Sequence, residues 1–563
     1  MGNFKLIFIK KAVKLCILTL LLLTSIIIFS ATSIFRNKSE IWFANPDQDG
    51  TLLIESIRIN SGKRPCYLDH PSHGTFIIYS NTLQFLDLVG LISVSNFDQL
   101  QQSDDPLTLL PELFYKSRLI SISLCVLCGL IFGGIFWVLT RQYGFFVLGV
   151  FLLLFSGGIF THSLIIRSEL ASVLFILLSI LVIAIEHMYN TNNVVLSNLC
   201  RFISGLFLGL AVLSKVHVSP AVVFIIICSL FSILHKNKMP RSQSSQITKL
   251  YRMALYAFLL YEIYNAIRFS YPMLFMLFLS VIIAGEIIAR QPKLQNNTTL
   301  AAITKTRFLL IGFLLAFHVS FYCLNFNRDT DNRGRYWKVM TYKKVFDPFE
   351  TTQTFSSRAK DGLPAVYSDF KKFCNYYMTT SYHFILLIAL VILVISLSRR
   401  FPEPLAITAL LFGFIMCLIS SLRYYMFFYL IYSDVFFIGA IMVLVVQYDR
   451  INQNRSFPWK HLRYLVYPLI CLAVCAAGVK QYHYVSGQYV NICSLKDRAD
   501  IVYKFVFCAE EYEALMLSQY KSVENITKRI CNDPYLNGSN RGIDLRQKPN
   551  AQKYYSQYFT SPE

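Results

Sequence analysis

The sequence predicts an all-α polytopic membrane protein with about 13 transmembrane helices, external loops and a small α-rich external domain near its C-terminal end. Three observations carry this expectation. Of the 563 residues, 55% are hydrophobic and only 15% charged, too little polar surface to cover a soluble globule. Apolar runs of about 20 residues recur along the chain, the length needed to cross a hydrocarbon core about 30 Å thick. The roughly ten-residue alternating segments of a transmembrane barrel do not occur.

The net charge of +21 does not point to nucleic acid, because many Lys and Arg residues sit in short loops between apolar runs, where they orient the chain. The basic run KLIFIKKAVK before the first span puts the N-terminus in the cytoplasm. The basic stretches 235–252, 290–307, 398–400 and 448–463 then share that side. Under this constraint the spans fall at roughly 13–34, 118–140, 144–162, 169–188, 252–268, 271–289, 307–325, 382–399, 403–421, 424–447 and 464–482. The run at roughly 202–234 has both flanks in the cytoplasm, so it must turn back as two short spans. Its break is LSKVHVSP, residues 213–220, which brings Lys215 close to the outer face. The first span has the charged start of a signal peptide but a long apolar core, and reads as an uncleaved anchor.

Residues 1–483 therefore form a transmembrane module with a first external loop at 35–117 and a second at 326–381. Residues 484–563 form an external soluble domain. Of the 14 cysteines, Cys66, Cys374, Cys493, Cys508 and Cys531 would lie outside, where one or two disulfides are compatible with an oxidising compartment. No paired metal-ligand spacing occurs in the sequence.

The chemistry-bearing residues gather near one face. Asp47 and Asp49 follow directly on the first span. TLLIESIRIN, next in the chain, has the apolar spacing of an interfacial amphipathic helix, and Gly62 with basic neighbours stops it. DHPSHG then supplies Asp69, His70 and His73. THSLIIRSEL brings His162, Arg167 and Glu169 to the outer ends of the third and fourth spans. Lys215 and His217 occupy the hairpin turn, and SSLRYY places Arg423, Tyr424 and Tyr425 at another outer end. Taken singly, each has a plain structural explanation as a helix cap, a snorkelling anchor or an ion pair. Ionisable residues at membrane depth are costly, however, and face a protein interior or a water-filled cavity. Acids and bases converging there can hold a phosphate and deprotonate a hydroxyl.

This order of features resembles the GT-C superfamily of membrane glycosyltransferases, which includes the protein O-mannosyltransferases and the lipid A aminoarabinose transferase. Those enzymes carry an acidic motif just after the first span, a Gly further along and commonly a His-Pro-Pro-like motif beyond it. Here the acidic motif is DQD, Gly62 stands 13 residues after Asp49, and DHPSHG takes the His-Pro-Pro position with Ser72 in place of the second Pro. IIRSELASVLF is similar to their second external motif, and GLFLGLAVLSKVHVSP to their Gly-rich hairpin ending in Lys. The resemblance covers roughly the first 235 residues. Gln48 splits the acidic pair, and the Gly spacing favours Asp49 over Asp47 as the equivalent of the catalytic acid.

The resemblance implies an enzyme, a hexosyl- or pentosyltransferase, that moves a sugar from a polyprenyl-phosphate donor to an acceptor hydroxyl on a lipid, glycan or protein, with inversion. Asp49 would be the base, with Asp47 next, and Glu169 would orient a cation or the acceptor. Arg423, Lys215 and Arg167 would hold the donor phosphate, and His70, His73, Tyr424 and Tyr425 would contact substrate. The resemblance fixes no cofactor, and a divalent cation is compatible with the phosphate chemistry. Asn, Lys and Ile richness, with no eukaryotic retention signal, points to the cell envelope of a bacterium, with the chain in the inner (plasma) membrane, the N-terminus cytoplasmic and the site and C-terminal domain periplasmic. Partners would be the bilayer, donor and acceptor, and no nucleic acid. One alternative is a transporter or flippase of lipid-linked saccharides, which would carry internal pseudo-symmetry and mid-span charges. Another is a catalytically inactive membrane subunit.

Overall fold

A computed structural model of the chain describes residues 2–38, 49–63, 65, 72–189, 194–234, 260, 273–291, 298–325, 353–398, 402–423, 427–453, 462–492 and 510–536. Among these residues the chain is helical and no strand occurs. Six helices are long and apolar enough to cross a membrane, or up to eight if each of two bent pairs counts as one span. Several apolar helices of this kind make it a multi-pass membrane protein. The first helix, α1 (Gly2–Lys38), turns Leu20, Leu21, Leu23, Ile27 and Ile28 outward, as suits a helix whose solvent is lipid.

The segment after α1 folds into α2 (Thr51–Asn60), α3 (His73–Leu88) and α4 (Phe97–Gln101). The sequence suggested that α2 lies in the membrane interface with one wet face. It is instead buried along residues 51–59, with Leu53 and Ile57 wholly enclosed and Glu55 and Arg58 covered as well. Its end is a Schellman turn: Gly62 at φ +72° donates its N–H to the Ile59 carbonyl and Lys63 donates to Arg58. Only glycine takes that φ without a Cβ penalty, so the stop signal read from the sequence has a structural cause.

Helix α5 (Pro106–Thr140) begins well before the apolar run that marked it, with Pro106 at the first helical position where its missing N–H costs nothing. The run 144–162 is broken into α6 (Tyr143–Leu154) and α7 (Gly157–Ser163), bent by 66°. After a short loop α8 (Ser168–Tyr189) returns, and α9 (Val194–Ser214) and α10 (Ser219–Leu234) meet at Lys215. Helices α11 (Met273–Arg290) and α12 (Thr298–Cys323) follow. Gly205 and Gly209 of α9 let it pack against α12 at backbone distance, since a Cβ on Gly205 would meet the Leu309 carbonyl at 1.9 Å. The expected span at 252–268 lies outside the described residues.

In the second half, the region expected as a loop at 326–381 contains the helix α13 (Gln353–Thr379), bent by 67° from α14 (His383–Ser398). Helices α15 (Pro404–Arg423), α16 (Leu430–Gln453) and α17 (Leu462–Ile492) complete the membrane part, α17 running unbroken past residue 483. Cys374 carries a free thiol. The tail supplies α18 (Glu510–Tyr520) and α19 (Val523–Asn532). They dock on the segment that carries α2 to α4 and on the start of α5: Lys63 and Arg58 reach Glu511 at 2.9 and 3.4 Å, and Tyr520 and Arg529 both bind Asp105.

Candidate functional site

Asp49 stands at the entrance to α2 and is wholly enclosed. Its Oδ2 accepts from Arg118 Nε at 2.9 Å, and its Oδ1 accepts the Ile166 N–H at 2.8 Å. Arg118, on α5, is equally buried. Burial raises the Asp49 carboxyl above its ordinary range, while Arg118 and the Ile166 N–H pull it part of the way back. The result is a desolvated, ion-paired carboxylate with enhanced basicity.

The loop 164–167, between α7 and α8, joins this pair to a second one. Glu169, in the first turn of α8 and also wholly enclosed, accepts from Arg167 Nε at 3.1 Å and Nη2 at 3.2 Å, a fork-to-carboxylate contact. Lys215 Nζ, from the turn after α9, lies 3.1 Å from Glu169 Oε1, the oxygen that also accepts from Arg167 Nη2. The Arg167 guanidinium lies 3.4 Å over the ring of Phe428, which follows α15. Two cations thus face one carboxylate, which concentrates positive charge beside Glu169. Five separate segments of the chain build the site, and such charges are tolerated out of water only when paired in this way.

His162 is enclosed beside the cluster, its Nδ1 2.7 Å from the Gly158 carbonyl. Beneath it, α7 is pinned by side chains of the second half. Gly157 N–H donates to Gln481 Oε1 at 2.7 Å and Gly158 N–H to Asp434 Oδ2 at 2.8 Å. Tyr376 OH donates to Gln481 and Tyr377 OH to Asp434. Ser156 caps the helix by accepting the Ile159 N–H. At the other end, Asn37 of α1 donates to the Ser163 carbonyl at 3.1 Å. The break in the 144–162 run is therefore a socket whose free N–H groups all find partners.

Among the residues proposed from sequence, Asp49, Arg167, Glu169, Lys215 and His162 come together here. His73 begins α3, with Nδ1 2.5 Å from Ser320 Oγ. Burial lowers His73 to about 3, so it is neutral. The neighbouring Gly74 touches the end of α9, where a Cβ would meet Ser214 Oγ at 2.1 Å and Phe175 at 2.5 Å. Ring stacking joins His217 to Tyr429. Arg423 ends α15, and its side chain, like Asp47, Asp69, His70, Tyr424 and Tyr425, lies outside the described residues. Sequence reasoning missed Arg118 and Asp434. Arg118 was hidden by its position at the expected start of a span, where basic residues are common. Asp434 was legible as the lone acid within the apolar run LIYSDVFF.

No family model, curated protein or solved structure matches this chain.

Proposed function

We propose that the protein is a GT-C-type membrane glycosyltransferase with about 13 spans that moves a sugar from a polyprenyl-phosphate donor to an acceptor hydroxyl at the outer face of a bacterial plasma membrane. The observation that carries this reading is the pair of enclosed carboxylates, Asp49 and Glu169, each clamped by cations and joined by one short loop. An acceptor hydroxyl is a weak nucleophile and needs a base in hydrogen-bond reach. Asp49 fits that role, since a raised carboxylate takes a proton more readily. As the hydroxyl oxygen bonds to the anomeric carbon, the bond to the phosphate oxygen breaks and its electron pair leaves with the polyprenyl phosphate. Arg167 and Lys215 beside Glu169 are the groups that would stabilise the charge developing on the donor phosphate, with Arg423 a further candidate. Attack opposite the leaving group inverts the anomeric centre. Acceptor class and the exact sugar are left to experiment.

The test is transfer by the purified protein in lipid nanodiscs, with labelled polyprenyl-phosphate sugars and a membrane extract as acceptor. Wild type should release polyprenyl phosphate, and Asp49→Asn should lose at least about 100-fold in rate. A wild type that binds the donor and never releases polyprenyl phosphate would overturn the reading in favour of a transporter of lipid-linked saccharides.

A further inference from the structure

His162 has no part in the mechanism above, yet it is enclosed and within electrostatic reach of Glu169, Arg167 and Lys215. Its Nδ1 contacts the Gly158 carbonyl, which can only accept, so Nδ1 carries the ring proton. In a neutral imidazole Nε2 is then a lone pair that accepts. This Nε2 is buried and has no hydrogen-bond partner among the described residues. Folded proteins rarely leave such an atom unsatisfied, so a buried acceptor beside a cluster of charges calls for a donor that the chain itself does not supply. The ring is also held rigidly, because α7 is pinned at Gly157 and Gly158 by Gln481 and Asp434 and at Ser163 by Asn37.

The chemistry of its partner follows from the lone pair, which requires a donor. A phosphodiester offers only acceptor oxygens and belongs with the two cations. The attacking hydroxyl of the acceptor gives its proton to Asp49, which is bound to the far side of the same loop through Ile166. The remaining donors next to the phosphate are the hydroxyls of the sugar itself. Resting on the transferase reading, we infer that His162 Nε2 accepts a hydrogen bond from a hydroxyl of the transferred sugar and so helps decide which sugar the enzyme takes. A site built to bond a hydroxyl discriminates against the analogue that lacks it, because its own buried acceptor is then left unpaired.

The experiment is a cycle between protein and donor. Wild type, His162→Phe and His162→Gln are compared on the full polyprenyl-phosphate sugar and on its monodeoxy analogues, scored by kcat/KM for transfer and, separately, by displacement of a fluorescent donor at equilibrium. Wild type should lose about 10- to 100-fold on one monodeoxy analogue. His162→Phe should already show that loss on the full donor and lose nothing more on that analogue, while His162→Gln, which keeps an acceptor oxygen, recovers part of it. Losses that multiply independently at every position would overturn the inference, as would a wild type indifferent to all deoxy positions. If His162→Phe does not fold, the same coupling is read from His162→Gln. A chain that binds donor without transferring it fails the transferase reading while the displacement cycle still decides the role of His162; one that binds no donor overturns both.

Discussion

Asp49 and Arg118 form a pair in which removal of either partner leaves a charge out of water. Breaking a buried pair on one side costs about 3–5 kcal/mol, far more than a surface pair is worth. Arg118→Met should therefore lower the thermal midpoint in nanodiscs sharply, and adding Asp49→Asn should restore much of the stability while leaving transfer abolished. Stability that stays low in the double variant would place the role of Arg118 elsewhere. The pH profile carries a second prediction. With Asp49 in its proposed role of base, burial raises its carboxyl, so it is protonated as pH falls through a value above the ordinary 3.8 and the acid limb of kcat/KM should sit higher than a solvated aspartate would give. His73 supplies a stability effect of known sign. Its folded value of about 3 lies below the ordinary 6.5, so between those values the unfolded chain binds the extra proton and stability declines as pH falls below about 6.5. His73→Asn should flatten that decline in acid-denaturation measurements.

At the scale of elements, α7 matters beyond its seven residues, since it positions both His162 and the loop that serves Asp49 and Glu169. A Cβ on Gly158 would sit 2.4 Å from the Ile431 backbone and 2.7 Å from Asp434 Oδ2, with no flexible atom able to give way. Gly158→Ala should therefore unseat α7 and cost transfer along with several degrees of thermal stability, whereas Gly134→Ala, where nothing lies within 4 Å, should be silent in both assays. The sequence made part of this arrangement readable. Hydropathy marks a helix by its apolar length, so α8, α14 and α15 were legible nearly to their ends. It does not see a bend, because residues 144–162 are apolar on both sides of Ser156 and the cause of the break sits hundreds of residues away at Asp434 and Gln481. The same limit hid the enclosure of α2: its apolar stripe was clear, but the burial of Glu55 and Arg58 depends on neighbours that no local pattern encodes. Glu169 and Lys215 were legible because charges stand out at membrane depth. Arg118 was not, because an Arg at a span end has an ordinary explanation.

Across the whole molecule, the tail is tied to the segment that carries α2 to α4 by polar contacts as well as by apolar packing, since Tyr512, Met516, Ile526 and Ile530 belong to the buried core. Glu511 is half-exposed, and its pairs with Lys63 and Arg58 should be worth about 0–1 kcal/mol. Glu511→Ala should thus leave the thermal midpoint nearly unchanged. Single cysteines introduced at Asp98 and Ser518 should both label with a membrane-impermeant reagent from the same side; labelling from opposite sides would contradict the docking of α18 on this segment. The two halves are joined far more tightly at Gly158, whose partner Asp434 lies 276 residues further along the chain. At roughly 5–20 residues per second, the ribosome needs about 14–55 s to make that partner after Gly158 emerges. Once Lys215 has been made, the first half waits with Asp49, Arg118, Arg167, Glu169 and Lys215 in place while the Gly157 and Gly158 end of α7 still lacks its partners. The step that completes the socket of α7 is then the arrival of α16 and α17, and a nascent chain arrested before residue 427 should expose a cysteine in place of Thr161, a position that the finished protein buries fully.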